Sequence, residues 1–264
     1  MKAVFSWKSS IVLEVCLVLF VLSGSASGGI SLDVTPPFLE LVVSPGIRRT
    51  LTIEVTNTGD EGVAVRCFLA DVSLSPEGNV VLLPEGGTPF SLAPCVTLPK
   101  EALFSLEPQK RKVVPVQVRF LREIQGGRYG VVVFEAVPQN PKGYVLGVRT
   151  GVLLFLVPRA PQKQRVALDA GEKEGKLFIV LRNEGDTHVR VRGELLVRSR
   201  EGKILRRLAF PEGNPLLLLP QGIREYVVDT WWVPGAWEVT VQVFSAEKPG
   251  ARPLAFSTIG LSSY

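Results

Sequence analysis

One histidine in 264 residues leaves little material for imidazole chemistry. A His-rich metal centre needs several ligands, and a Ser-His-Asp triad needs a nucleophile motif beside its base. His188 is that single histidine, and it stands beside a turn, where a solvated ring is the expectation. Phosphate loops are missing as well. Gly175-Lys176 opens a strand pattern and is not followed by Ser or Thr in a Gly-rich loop. Acidic residues stand singly at turns and strand ends, so no carboxylate pair is marked out. No catalytic residue, cofactor or metal ligand is expected. Long runs of one charge are absent too. Lys110-Arg111-Lys112 and Arg206-Arg207 are the largest basic clusters, too short for a nucleic-acid stripe.

Apolar segments of membrane-spanning length are also lacking. Ile11 to Leu22 is shorter than a comfortable span; Lys2 and Lys8 precede it, and Ser23-Gly-Ser-Ala26 follows. That is signal-peptide grammar, with cleavage expected after Ala26. The predicted address is periplasmic or extracellular, with no membrane contact beyond the signal segment. Two cysteines follow it, Cys67 and Cys95. In an exported chain such a pair reads as a disulfide, or else as two small thiols buried in a core.

What the chain has is short alternating strands. Leu51, Ile53 and Val55 share a face, as do Val63, Val65, Cys67 and Leu69, and Val114, Val116, Val118 and Phe120. Gly and Pro turns separate them, and helix-period segments are missing. The prediction is all-β. Leu51-Thr-Ile-Glu-Val-Thr-Asn57-Thr-Gly59-Asp60 then returns as Leu177-Phe-Ile-Val-Leu-Arg-Asn183-Glu-Gly185-Asp186. A repeat of that length is a domain. Two tandem immunoglobulin-like β-sandwiches are therefore predicted: a signal peptide over 1–26, a first sandwich over 27–158 and a second over 159–264.

The repeated Asn-x-Gly-Asp turn has a structural reading, in which glycine supplies positive φ and Asn or Asp bonds the turn's own backbone. A Ca²⁺ or sugar site would want more carboxylates. Gly127-Arg-Tyr129 and Gly235-Ala-Trp237 form a second echo. There a large aromatic ring is expected to cover the end of each core. Adjacent Trp231 and Trp232 must point to opposite faces, so one of them at most is exposed.

The first sandwich resembles the N-terminal domain of the periplasmic pilus chaperones, the PapD-like family. The residues are Ile30-Ser-Leu32-Asp33, Ile53-x-Val55-x-Asn57, Leu106-Glu-Pro108, Tyr129 and Leu154-Phe155-Leu156-Val157-Pro158. The resemblance implies a non-enzymatic protein that lends an edge strand to an exported, pilin-like subunit. Val148 to Val157 is the apolar strand that would do so, with Val148, Val152, Leu154 and Leu156 meeting the partner. The family also holds the subunit's terminal carboxylate with a basic pair, and those positions fall near Pro36 and Gly151 or Leu153. Arg149 is then the nearest cation on the strand, with Arg159 and Arg165 near the hinge. The alternative is a structural or adhesive surface module that recognises its partner through 84–99.

Overall fold

The computed structural model describes residues 29–100, 102–120, 125–140, 146–159, 163–229, 231–247, 250 and 252–261. The expected signal segment, 1–26, lies outside the described residues. Every regular element among those described is a strand.

The first sandwich has two sheets. One runs β1 (Leu32–Thr35), β3 (Ile47–Asn57), β8 (Arg111–Phe120), β6 (Val96–Thr97). The other runs β2 (Phe38–Val43), β10 (Val148–Pro158), β9 (Arg128–Pro138), β4 (Val63–Leu74), β5 (Val80–Leu83), with β7 (Leu103–Leu106) also on β4. Alternation sets the core. Ile53 and Val55 on β3, Val114, Val116 and Val118 on β8, Val65 and Cys67 on β4, and Phe134 on β9 all point inward. Inward-facing apolar side chains from two sheets are what a sandwich interior consists of.

The opening edge strand ends at Thr35, right before Pro36-Pro37. The chain changes sheets there. β1 pairs antiparallel with β3, and β2 pairs parallel with β10. Proline lacks the N–H that a continuing ladder needs, so the pair falls where the chain crosses.

The second sandwich follows the same plan. β11 (Val166–Lys173), β12 (Lys176–Asn183) and β16 (Ile223–Val228) form the smaller sheet. β14 (Ile204–Phe210), β13 (Val189–Arg198), β17 (Glu238–Ser245) and β18 (Ala255–Gly260) form the larger, with β15 (Leu216–Leu218) on β13. Leu177, Ile179, Leu181, Val191, Leu195, Trp231, Val239 and Val241 fill the space between. No ladder among the described residues joins a strand of one sandwich to a strand of the other.

The repeated turn is wired identically in both copies. Asn57 Nδ2 donates to Glu61 O at 2.7 Å and Leu106 O at 3.0 Å, and Gly59 N–H returns a bond to Asn57 Oδ1 at 3.0 Å. Asn183 Nδ2 donates to Thr187 O at 2.8 Å and Leu218 O at 3.0 Å, while Gly185 N–H bonds Asn183 Oδ1 at 2.9 Å. The glycines play a different part from the one predicted. Neither has positive φ. A Cβ on Gly59 would run into the backbone of Gly29 and Ser31, and one on Gly185 into Lys163 and Arg165. Close crossing of the incoming chain fixes the residue type.

Candidate functional site

The strand singled out by sequence is not a free edge along its whole length. β10 pairs with β9 from Val148 to Leu156 and with β2 from Leu153 to Pro158. Among the described residues, Val148 to Val152 therefore has a ladder partner on one side only. Leu153 N–H donates to Pro37 O at 3.1 Å. Backbone groups alternate along a strand, so the N–H and C=O of Arg149 and Gly151 face the same open side.

The side chains fall differently from the expectation. Val152, Leu154 and Leu156 are buried in the first core beside Phe134 and Val116. They fill their own sandwich because they lie on the inward face of a strand covered by β1, β3 and β8. Val148 packs partly against the same core. Arg149 is exposed and paired with Glu135, which Arg66 also holds at 2.7 Å. Both guanidinium groups lie over the Phe68 ring, at 4.8 Å and 5.9 Å. Leu146, just before the strand, is 80% exposed.

The other face of β10 meets the second sandwich. Phe155 and Tyr129 contact edge to face with centroids 4.9 Å apart, and Leu219 closes over them with Ala70, Val72 and Val131. Tyr129 thus does not cap the end of its own core; it reaches across the junction. Trp237, its supposed counterpart, is exposed under Arg200 at 5.1 Å. Trp231 is the buried indole of the second core, and Trp232 is 52% exposed; both lie beyond the end of β16.

His188 is the largest departure from expectation. It is buried rather than solvated. Its backbone N–H donates to Tyr129 Oη at 2.7 Å, its Nδ1 lies 3.3 Å from the same oxygen, and Arg190 Nη1 donates to Nε2 at 2.9 Å. Arg190 continues to Glu40 Oε2 at 2.6 Å and Glu247 Oε1 at 3.1 Å. Burial holds the imidazole below its ordinary value, with Arg190 adding to the effect and Glu40 and Glu247 opposing it. Burial likewise pushes the Tyr129 hydroxyl up. Alongside, Gly127 N–H bonds Asp186 O at 2.9 Å.

A second bridge joins the β4–β5 turn to β16. Arg224 donates to Pro76 O at 3.2 Å, Glu77 O at 3.1 Å and Leu217 O at 3.2 Å, and Glu225 N–H donates to Pro76 O at 2.8 Å. Between the bridges lie two clefts of about 370 Å³ and 300 Å³. Leu74, Phe90 and Ile223 line the first, and Leu153, Leu217 and Arg224 the second. Arg165 pairs with Glu184 at 2.8 Å, and the Arg159 backbone N–H bonds Val43 O at 2.8 Å.

Residues 84–99 are tied down at their centre rather than loose. The buried Asp71 carboxylate accepts from Thr88 N at 2.8 Å and Ser91 Oγ at 2.6 Å, and Leu92 is buried. Cys67 and Cys95 are both free and buried. The disulfide alternative is therefore set aside; each thiol serves as a small apolar core group. Burial pushes the Cys67 thiol up to about 12, and it raises Cys95 as well.

Sequence reasoning missed the junction residues, although a signal existed. Ser75-x-Glu77-Gly78 recurs as Ser199-x-Glu201-Gly202. In each, the serine Oγ donates to the glutamate, at 2.6 Å and 2.8 Å. Only the first copy docks on Arg224.

No protein-family model matches the chain, and no curated protein does. Solved structures are similar to it. A chain from a chaperone–tip adhesin complex of CFA/I fimbriae biogenesis has a TM-score of 0.49 at 11% identity, covering 86% of this chain and 98% of that one. One from the CsuC–CsuE chaperone–tip adhesion subunit pre-assembly complex of Csu pili, from Acinetobacter baumannii, has 0.47 at 8%, covering 87% and 97%. The class 5 fimbriae chaperone CfaA has 0.46 at 12%, covering 88% and 100%.

Proposed function

We propose that this is an exported, chaperone-like binding protein that lends the first half of β10 to an incomplete exported subunit. The carrying observation is the shortfall of β2, which begins its pairing at Leu153 and leaves Val148 to Val152 with an open side. Unpaired backbone groups next to exposed apolar side chains are a template for strand addition. The sequence resemblance to pilus chaperones points to the same use of this strand. Partner contact then runs through the backbone of Arg149 and Gly151 and through Leu146 and Val148. Val152, Leu154 and Leu156 support the donor strand from behind.

The test is a pair of substitutions at one position. Arg149→Pro removes an outward N–H, and Arg149→Ala removes the guanidinium alone. A purified pilin-like subunit lacking one strand is diluted from denaturant into each protein. The alanine variant is expected to keep the subunit soluble and the proline variant to lose it. Equal performance by the two would end the strand-donation reading.

A further inference from the structure

The His188 cluster joins the two sandwiches, and its hydrogen bonds fit one protonation state. Arginine carries only N–H groups, so the bond from Arg190 requires a lone pair on Nε2. The ring proton is then on Nδ1, facing Tyr129 Oη. The charged and titratable groups around the ring come from several elements. β9 supplies Tyr129 and, behind it, Arg128; β2 supplies Glu40; the repeated turn supplies Asp186; β13 supplies Arg190; the segment after β17 supplies Glu247. Phe155 on β10 closes one side with centroids 5.2 Å apart.

A second proton on Nε2 would face the Arg190 guanidinium at 2.9 Å. Relief has two routes. Arg190 can withdraw and give up its contact with Glu40, or the ring can swing toward Glu40 Oε1, now 3.6 Å away, and leave Tyr129. Each route gives up a contact that bridges the sandwiches. Glu40 and Glu247 already bond Arg190, so their charge is shared before the proton arrives.

We propose that the junction is a pH-sensitive lock, closed while His188 is neutral and loosened when the ring takes a proton. A free imidazole titrates near ~6.5. The docked ring titrates lower because of its burial. Docking is therefore complete above the free value and is lost as pH falls from there through the docked value. The lock does not depend on the strand-donation reading.

The sole histidine makes the test direct, since tag-free protein gives one imidazole resonance. Proton NMR follows that resonance from neutral to mildly acidic pH, and small-angle scattering follows the radius of gyration alongside. The expected result is a midpoint below the free value and a radius that grows over the same interval. In His188→Gln the radius is expected to be independent of pH. A midpoint at or above the free value, a constant radius through the titration, or the same acid expansion in His188→Gln would overturn the lock. Should that variant prove undocked at neutral pH, the Arg190→Gln midpoint decides. An upward shift supports opposition by Arg190, and an unmoved midpoint overturns it.

Discussion

The turn at Asn57 and the turn at Asn183 have the same wiring and different surroundings. In both, a buried amide bonds two carbonyls and a glycine lets the incoming chain cross closely. The first faces the outside of the molecule. The second abuts Tyr129 and Gly127 of the other sandwich. The side chains that reach across the junction are those in which the copies disagree. Gly62 stands where the second copy has His188, and Ala64 where it has Arg190. The two turns thus share their internal bonds and differ at the outward positions that build the junction.

Substitution of the shared amides should have the largest effect. Asn57→Ala and Asn183→Ala each remove a buried amide that bonds two carbonyls, at a cost of about 2–4 kcal/mol. Denaturant unfolding is expected to give similar losses in both. Of the four tryptophans, Trp231, Trp232 and Trp237 fall in the second half and Trp7 in the expected signal segment, so in protein without that segment fluorescence reports the second half, and far-UV dichroism reports the whole. A loss confined to one copy would break the equivalence. Next come Gly59→Ala and Gly185→Ala. A Cβ pressed into crossing backbone should cost about 1–3 kcal/mol. Losses well below that would mean that the crossing chain does not fix the residue type.

Tyr129→Phe separates the copies. It leaves the His188 N–H without its acceptor, a loss of about 1–2 kcal/mol. That loss should appear as easier cleavage at 159–165 by a dilute protease, with the core of the first sandwich unaffected. Unchanged cleavage would deny Tyr129 a role in docking. The smallest effect is a silent one. With its thiol pushed up to about 12, Cys67 should resist a thiol-specific disulfide reagent at mildly alkaline pH until the chain unfolds. Rapid labelling of native protein would place the thiol at the surface.

The sequence made the sandwiches legible because half-buried strands alternate. β3, β8 and β12 each bury alternate residues, with the row between them half-buried or exposed. β11 and β18 were missed for the opposite reason: their patterns, Biieieie and ieieie, mark edge strands with little buried surface. β10 was legible as a strand, but the row expected to meet a partner, Val152-Leu154-Leu156, fills the first core instead. Both rows, Val152-Leu154-Leu156 and Leu153-Phe155-Val157, are apolar, and alternation cannot rank two apolar faces. His188 was misjudged because a turn residue is ordinarily solvated, and only the packing of the sandwiches buries it. The disulfide alternative came from counting cysteines, which carries no information on where a Cβ points.

The sheet switch at Pro36-Pro37 has a consequence for how the chain is delivered. β2 takes its place only beside β10, the last strand of its sandwich, with Phe38 opposite Leu153. β11, by contrast, finds its partner across a four-residue hairpin turn, with Lys173 opposite Lys176. In a chain that emerges from its N-terminus, the first sandwich must hold an apolar segment in waiting until Pro158 has passed, whereas the second can begin to close almost at once. Long-range pairing of that kind is slow. The protein thereby spends part of its own biogenesis in the condition proposed for its client, a sandwich one strand short.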